Sequence, residues 1–328
     1  MRGFPILVYA VTSLHVGAGR SSGAVDLPIQ RDPMGFPVVF SSSFKGALKQ
    51  FCAETFNAVS GETGRVDCSK ARECCCLFGG EGDASEGASL VGLSDLYPLA
   101  VPVPSLDRGY VYLTSKYLID TLADLFRAVG YEEGVRWLES LVSGVITTNA
   151  EKGPAQPGQT QVNRGGGTVT VGIDLKVPLV VLEDSGFLRV LQGLGPMAGR
   201  LGEGIAVELD DSKAVIEIER GVVKYTRNRV NYDTGTVSEG ALWTEEYLPH
   251  GTILAGVAFF NVPRRNKYCR DGKGLCDEAC AQEELGKFLA KVGRGSDYEF
   301  YLSVGGKETI GRGIVKVKLL TGGGSARP

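Results

Sequence analysis

The chain has 328 residues, 43% of them hydrophobic and 22% charged, with 35 basic against 38 acidic side chains and a formal net charge of −3. Such a composition belongs to a soluble globular protein with one large domain or two small ones; no apolar run nears the roughly 20 residues of a membrane helix. The faintly acidic balance rules out a uniformly basic nucleic-acid binder, so contact with a polyanion must come from local clusters such as Arg20, Arg31, Lys45 and Lys49, or Arg227 and Arg229.

The amino terminus leads into an alternating strand and not a secretory segment, so the expected location is cytoplasmic and no membrane partner is expected. Ile6, Val8, Ala10, Leu14 and Val16 fall on one face of that strand, with Tyr9, Ser13 and His15 on the other. It ends in the turn Val16-Gly17-Ala18-Gly19, where backbone N–H groups can approach a ligand closely. A proline-bearing irregular loop follows. Ser41-Ser42-Ser43 then offers N-caps to an amphipathic helix with Phe44, Ala47, Leu48, Phe51, Cys52 and Val59 at helical spacing. Its first turn carries Lys45 and Gly46 and no carboxylate, so the lysine and the positive helix end favour an outside phosphate.

Residues 61–89 read as a surface loop, and 88–103 as a strand running into an extended segment broken by prolines. Residues 115–142 read as one or two helices interrupted near Gly130 and Gly134. From 144 to 167 the chain is polar and glycine-rich, a loop either mobile or ordered by a partner. Strands are expected over 168–182, 203–209, 213–219 and 222–232, the last meeting Asp233-Thr234-Gly235-Thr236 in a hairpin turn. A strand over 252–262, a basic cysteine-bearing loop over 263–281 and a short helix over 282–292 follow. The chain closes with strands 297–304 and 314–320 around the glycine loop Gly305–Gly313, and a disordered tail, 321–328. That glycine loop lacks the strand-to-helix context of a dinucleotide or Walker loop.

The eight cysteines are Cys52, Cys68, Cys74, Cys75, Cys76, Cys269, Cys276 and Cys280. Neither patch has paired C-x-x-C spacing, so zinc is only weakly signalled. Free thiols are the expectation, since disulfides in a cytosolic protein belong mainly to hyperthermophiles.

The order L-H-V-G-A-G from Leu14, V-D-L-P-I-Q-R from Val25 and S-S-F-K-G-A-L-K from Ser42 resembles the amino-terminal signature of the RAMP superfamily of CRISPR proteins. Within it, D-L-P-I-Q-R resembles the repeated backbone subunit of the type III-B (Cmr) RNA-targeting effector. Leu77-Phe78-Gly79, Arg229–Pro249 and the glycine loop at 305–313 carry the likeness along nearly the whole chain. The resemblance implies an α+β fold: a modified ferredoxin-like (RRM-like) palm over a single domain, 1–320, with a projecting β-hairpin thumb. Its insertions would be the 61–89 loop, helices and loop over 104–167, and the cysteine-bearing 263–292. The thumb candidate is 227–243, with Arg227, Arg229, Tyr232 and Trp243, because Arg227, Arg229 and Asn231 alternate onto one basic face.

The resemblance also assigns roles. Asp26 takes the position on which target-RNA cleavage depends; its carboxylate would hold a divalent ion, magnesium or manganese, or help deprotonate the attacking 2′-hydroxyl. Alternatively it fixes its loop through backbone N–H groups. Guide-RNA contacts are expected from His15, Gly17, Gly19, Arg20, Ser42, Ser43, Lys45, Gly46 and Lys49, and from Lys307 and Arg312 in the late glycine loop. Glu245 and Glu246 are candidates for a second acid, although a solvated strand edge is the simpler reading of two adjacent glutamates.

The implied function is a divalent-metal-dependent endoribonuclease acting inside an assembled filament. Copies of the chain, with other Cmr-complex subunits, would hold CRISPR guide RNA and cut complementary target RNA at regular intervals. Two further readings stay open: an RNA-binding scaffold in which Asp26 is inert, and a guide-processing ribonuclease with His15 as general base.

Overall fold

In the computed structural model, residues 2–19, 23–61, 64–80, 87–150, 167–172, 175–182, 184–269, 275–292 and 298–321 are described. Among them, ten strands form one mixed sheet and two more form a separate hairpin.

Strand β1 (Gly3–Ala10) lies inside the sheet, and its sequence says why. Phe4, Ile6 and Val8 enter one core while Leu7 and Tyr9 enter another, so the run is apolar on both faces, as an interior strand must be. It pairs antiparallel with β10 (Ile253–Phe260) on one side and β12 (Ile314–Leu319) on the other. Outward from β12 lies β11 (Glu299–Ser303). Outward from β10 come β3 (Tyr97–Ser105), β4 (Gly109–Ser115), β7 (Ile205–Glu208), β6 (Leu175–Val180) and β5 (Thr168–Val171), with the short β2 (Val91–Leu93) also on β10. Among the described strand pairs of this sheet, β4 and β7 run parallel and the others antiparallel.

Helices cover both faces. Helices α1 (Ser41–Thr55), α2 (Arg72–Phe78) and α7 (Glu278–Val292) close the first core through Phe44, Leu48, Leu77 and Phe288. Helices α3 (Lys116–Ala128), α4 (Glu132–Ala150) and α5 (Gly186–Gln192) close the second through Leu122, Phe126, Leu138 and Phe187. Helix α6 (Asp211–Gly221) packs Ala214 and Ile218 on Val101, Val103 and Leu113. No described helix is long and apolar enough to cross a membrane. The hairpin consists of β8 (Val223–Val230) and β9 (Val237–Tyr247). At its turn the Asn231 side chain accepts from the Asp233 and Thr234 N–H groups, and Gly235 takes the left-handed φ of 66°.

Several expectations need correction. Residues 213–219 are helix and not strand: Asp210 accepts from the Ser212 and Lys213 N–H groups, an N-cap that outweighs the local alternation. The loop expected over 144–167 begins as helix, since α4 continues to Ala150; residues 151–166 lie outside the described residues, as do 322–328 of the expected tail. Gly134 sits inside α4 and interrupts nothing, Val59 lies beyond the end of α1, and 168–182 is a hairpin. Strand β1 stops at Ala10, so Leu14–Val16 belong to a separate extended segment.

The 61–89 stretch is not simply a surface loop. It contains α2, whose Cys74, Cys75 and Cys76 are fully buried. The expected free thiols are disulfides: Cys52–Cys74, Cys68–Cys75, Cys76–Cys269 and Cys276–Cys280. Three of these anchor α2, two to neighbouring chain and one to the segment before α7. Asn266 reinforces the last link, its side-chain amide donating to the carbonyls of Cys75, Cys76 and Ala88.

Candidate nucleic-acid interface

A groove of about 740 Å³ opens between the glycine turn, one face of α1, and β11 with the start of the late glycine loop. Gly17, Ser42, Ser43 and Gly46 line it together, opposite Tyr301 and Gly305. Gln30 sets this geometry. Its side-chain nitrogen donates to Ser43 Oγ (3.0 Å) and the Gly17 carbonyl (3.3 Å), and its side-chain oxygen accepts from Phe40 N–H (2.8 Å). One buried amide thus ties the turn to the start of the helix.

The helix start differs from the expected one. Phe40 is the N-cap, without a side-chain bond, and none of the three serines caps the helix. A carboxylate does serve its first turn, supplied from far along the chain: Asp95 Oδ1 accepts from Ser41 N–H at 2.6 Å. Lys45 and Lys49 do not line the groove. The Lys45 ammonium donates instead to Ser89 Oγ at 2.7 Å, and burial, then the nearby Lys49 charge, lowers its pKa. Gly19 is exposed with φ 93°, and Arg20 lies outside the described residues.

The chain returns from the glycine turn antiparallel to itself, Gly17 bridging Ile29, and that returning arm carries Asp26 to the foot of the hairpin. Leu27 bridges Glu245, with Leu27 N–H on the Thr244 carbonyl and Glu246 N–H on the Leu27 carbonyl, both 3.0 Å. Asp26 is exposed, and its Oδ2 accepts from Thr244 N–H (2.8 Å) and Thr244 Oγ1 (2.9 Å). These bonds to Thr244 hold its pKa below the ordinary aspartate range, so the carboxylate is ionised at neutral pH. The carboxylate is thus held at the hairpin's foot, on the arm whose Ile29 bridges Gly17 of the groove.

Alternation along β9 sends Thr244 and Glu246 to one face and Trp243, Glu245 and Tyr247 to the other. On the Asp26 face, Glu246 Oε2 accepts from Arg31 Nη1 at 2.9 Å and Ile29 N–H at 3.3 Å. Arg31 also pairs with Glu219 at 2.7 Å, and Lys224 bridges Glu219 and Glu246. Arg31 is thus committed within the fold.

On the opposite face, Glu245 accepts from Lys307 Nζ (2.6 Å), Trp243 Nε1 (2.7 Å) and the Tyr247 hydroxyl, with Arg227 Nε at 3.4 Å. Burial pushes the Glu245 pKa up, but the bonds from Lys307, Tyr247 and Trp243 outweigh it and hold the carboxyl at about 2. The Arg312 guanidinium lies 5.2 Å from the Tyr247 ring centre and 5.3 Å from that of Tyr225, which also has Arg227 at 5.8 Å.

The solvated strand edge expected for Glu245 and Glu246 is therefore wrong: they are 1% and 3% exposed. Cations brought from distant segments make that burial affordable. His15 is buried too; its Nδ1 donates to the Glu246 carbonyl at 2.7 Å, and its ring lies 5.3 Å from Tyr247. Lys307 and Arg312 face the hairpin's foot and not the groove. Arg229 is exposed along β8 and Tyr232 is fully exposed at the turn, whereas Trp243 is half-buried at the foot.

Among the described residues, no cluster of three or more His, Cys, Asp or Glu side chains is arranged to hold a metal ion. Asp26 contributes one carboxylate, and its neighbour Thr244 one hydroxyl. This donor set does not fit a divalent ion held by protein alone.

The chain thus combines a mixed sheet covered by helices on both faces, a separate two-stranded hairpin and a glycine-lipped groove. The family model of the RAMP superfamily matches residues 7–316, and the chain belongs to that superfamily. Its relatives include the CRISPR system Cmr endoribonuclease Cmr4 of Pyrococcus furiosus, 29% identical over 97% of this chain and 96% of that protein. The CRISPR system CMR subunit Cmr4 of Saccharolobus solfataricus is 27% identical, covering 96% of each. A chain in the cryo-EM structure of the type III-B Cmr-beta complex bound to cognate target RNA superposes with a TM-score of 0.63, at 25% identity over 97% of both chains.

Gln30, Thr244, Asp95, Tyr225 and Tyr247 are interface residues that sequence reasoning did not assign. Gln30 lies inside the D-L-P-I-Q-R motif, and Thr244 and Tyr247 inside the Arg229–Pro249 stretch; Asp95 and Tyr225 carry no local signal, because their partners are remote in sequence.

Proposed function

We propose that the chain is the repeated backbone subunit of a type III-B RNA-guided effector, and that Asp26 cuts the target RNA. Copies of the chain stack with other Cmr-complex subunits, CRISPR guide RNA runs along the groove, and complementary target RNA pairs with it. The sheet with α1 serves as a ferredoxin-like palm and the β8–β9 hairpin as a thumb, with Arg229 and Tyr232 towards its tip. Gly17, Ser42, Ser43 and Gly46 offer close backbone approach and hydroxyl donors to the guide; Lys45 and Lys49 sit on the same helix outside the groove lining, and Lys307 and Arg312 stand at the hairpin's foot.

The observation that carries this reading is the position of Asp26: an exposed, ionised carboxylate fixed by two bonds at the hairpin's foot, on the arm that returns from the groove's glycine turn. There it accepts the proton of, or orients, the 2′-hydroxyl that attacks the adjacent phosphorus in line; the bond to the next nucleotide's 5′-oxygen breaks, that oxygen takes a proton from water, and a 2′,3′-cyclic phosphate is left. The endoribonuclease named among the relatives and the target-bound complex among the structural neighbours support the same chemistry. We route no step through a metal ion.

The reading with His15 as general base is disfavoured by its burial. Its Nδ1 proton is given to the Glu246 carbonyl, which fixes the ring against the β9 backbone, and the ring is only 6% exposed, packed beside Tyr247, so burial is what withholds Nε2 from a substrate hydroxyl. The test is reconstitution with guide RNA and companion subunits, followed by addition of a complementary RNA. Cuts at regular intervals support the proposal; guide maturation by the isolated chain, or binding without any cutting, refutes it.

A further inference from the structure

We infer that Glu245 is a positioning residue: its carboxylate locks the hairpin to the late glycine loop, and through the adjacent Thr244 it sets where Asp26 meets RNA. The inference rests on the cleavage role proposed for Asp26, and it replaces any proton-transfer role for Glu245.

The lock is built from three parts of the chain. Lys307 belongs to the glycine loop, Arg227 to β8, and Trp243 and Tyr247 to β9, and all converge on one carboxylate. The glycine loop is itself fastened to the palm: Gly306 N–H donates to the His15 carbonyl at 2.9 Å and Gly313 N–H to the Ser13 carbonyl at 3.0 Å. The hairpin is a two-stranded sheet apart from the main one, tied by backbone at its foot to Leu27 and Leu14 on one edge, and the Glu245 cluster adds the side-chain tie to the late glycine loop. Arg312, stacked between loop and hairpin on Tyr225 and Tyr247, is a second contact across the same joint.

Thr244 is the residue before Glu245, and it holds Asp26 by backbone and hydroxyl. A swing of the hairpin therefore moves Asp26. The Glu245 carboxylate, buried and surrounded by donors, has no access to a reacting proton, and its strongly lowered pKa keeps it ionised.

The test uses Glu245→Gln and Lys307→Met in the full chain, which break the lock from opposite sides. Lys307 is 30% exposed, so its variant tests the lock even where Glu245→Gln fails to fold. In the free chain, amide hydrogen exchange over 223–247 is expected to quicken in both. In the assembled complex, cutting is expected to slow about 10- to 100-fold, as for a small misplacement of reacting groups. Cuts should spread to neighbouring phosphodiesters, the pH profile near neutrality should keep its shape, and the double variant should be little worse than either single one. Unchanged exchange, rate and cut position would overturn the lock. So would loss of cutting equal to that of Asp26→Asn with cut positions unmoved, which marks Glu245 as a reacting group. A wild-type complex that cuts nothing refutes the Asp26 reading instead, and hydrogen exchange still decides whether the lock exists.

Discussion

Thr244 grips Asp26 twice, its N–H at 2.8 Å and its hydroxyl at 2.9 Å from the same carboxylate oxygen, across 218 residues of chain. The bonds lower the Asp26 pKa, because both stabilise the charged form. Thr244→Val removes only the hydroxyl. Its expected result is a pH–rate profile whose acid limb moves to higher pH, since the carboxylate then protonates more readily. Guide affinity should stay unchanged, and a rate–pH series on the assembled complex checks both.

Gln30 joins turn and helix by three bonds from a buried side chain. Gln30→Ala strands the Phe40 N–H and frees Gly17, and is expected to cost about 1–3 kcal/mol of stability. Guide binding should weaken more than target cutting by pre-bound complex. Denaturant melts and filter binding measure the two effects separately.

Gly46 lies within α1 on the groove face, and a Cβ there meets nothing within 4 Å. Gly46→Ala should therefore stabilise the chain by about 0.5–1 kcal/mol through helix propensity. Gly46→Leu keeps the fold but fills the groove. A loss of guide affinity of at least about tenfold, or roughly 1.4 kcal/mol, is expected in a titration at fixed salt.

Three disulfides anchor α2 beneath α1, and Cys76–Cys269 spans 193 residues. Full reduction should lower the melting temperature markedly, with Cys76–Cys269 alone worth about 3–5 kcal/mol on the loop-closure picture. Melting with and without reductant checks this; equal values contradict the pairing.

Acid sensitivity follows from Glu245. Its folded pKa of about 2 lies below the ordinary 4.5, so its contribution is fully present above that value and is lost as pH falls towards 2. The contribution amounts to about 3 kcal/mol. Glu299, flanked by Lys316 and Lys318, is lowered in the same sense. Wild type should lose more stability between pH 5 and about pH 2 than Glu245→Gln does.

Legibility in the sequence followed the range of the interactions. The apolar run of β1 and the helical spacing of Phe44, Leu48 and Cys52 in α1 are local patterns, and a strand and a helix stand there, although the strand stops at Ala10, short of Val16, and the helix ends before Val59. The stretch 213–219 misleads because Ile216, Glu217, Ile218 and Glu219 alternate apolar with polar, and the Asp210 cap is what reveals a helix. The cysteines of α2 hide a buried helix inside what reads as a polar loop. At the site, Gly17, Ser42, Ser43 and Gly46 are brought into one groove as their motifs imply, but Lys45 turns away to Ser89. Glu245 and Glu246 look like solvent-facing charges, because Arg31, Lys224 and Lys307 reach them only after folding. Asp95 serves α1 from 54 residues away, beyond any local periodicity.

The central claim is that Asp26 performs the cut, and Asp26→Asn in the reconstituted complex tests it most directly. Asparagine keeps the shape and exposure of the site but removes its charge. With saturating guide and complementary RNA, single-turnover cutting is expected to fall by at least about 100-fold, the scale of a lost acid–base group. Assembly and RNA binding should be unaffected. Cutting at the wild-type rate by the fully assembled Asp26→Asn complex would contradict the account.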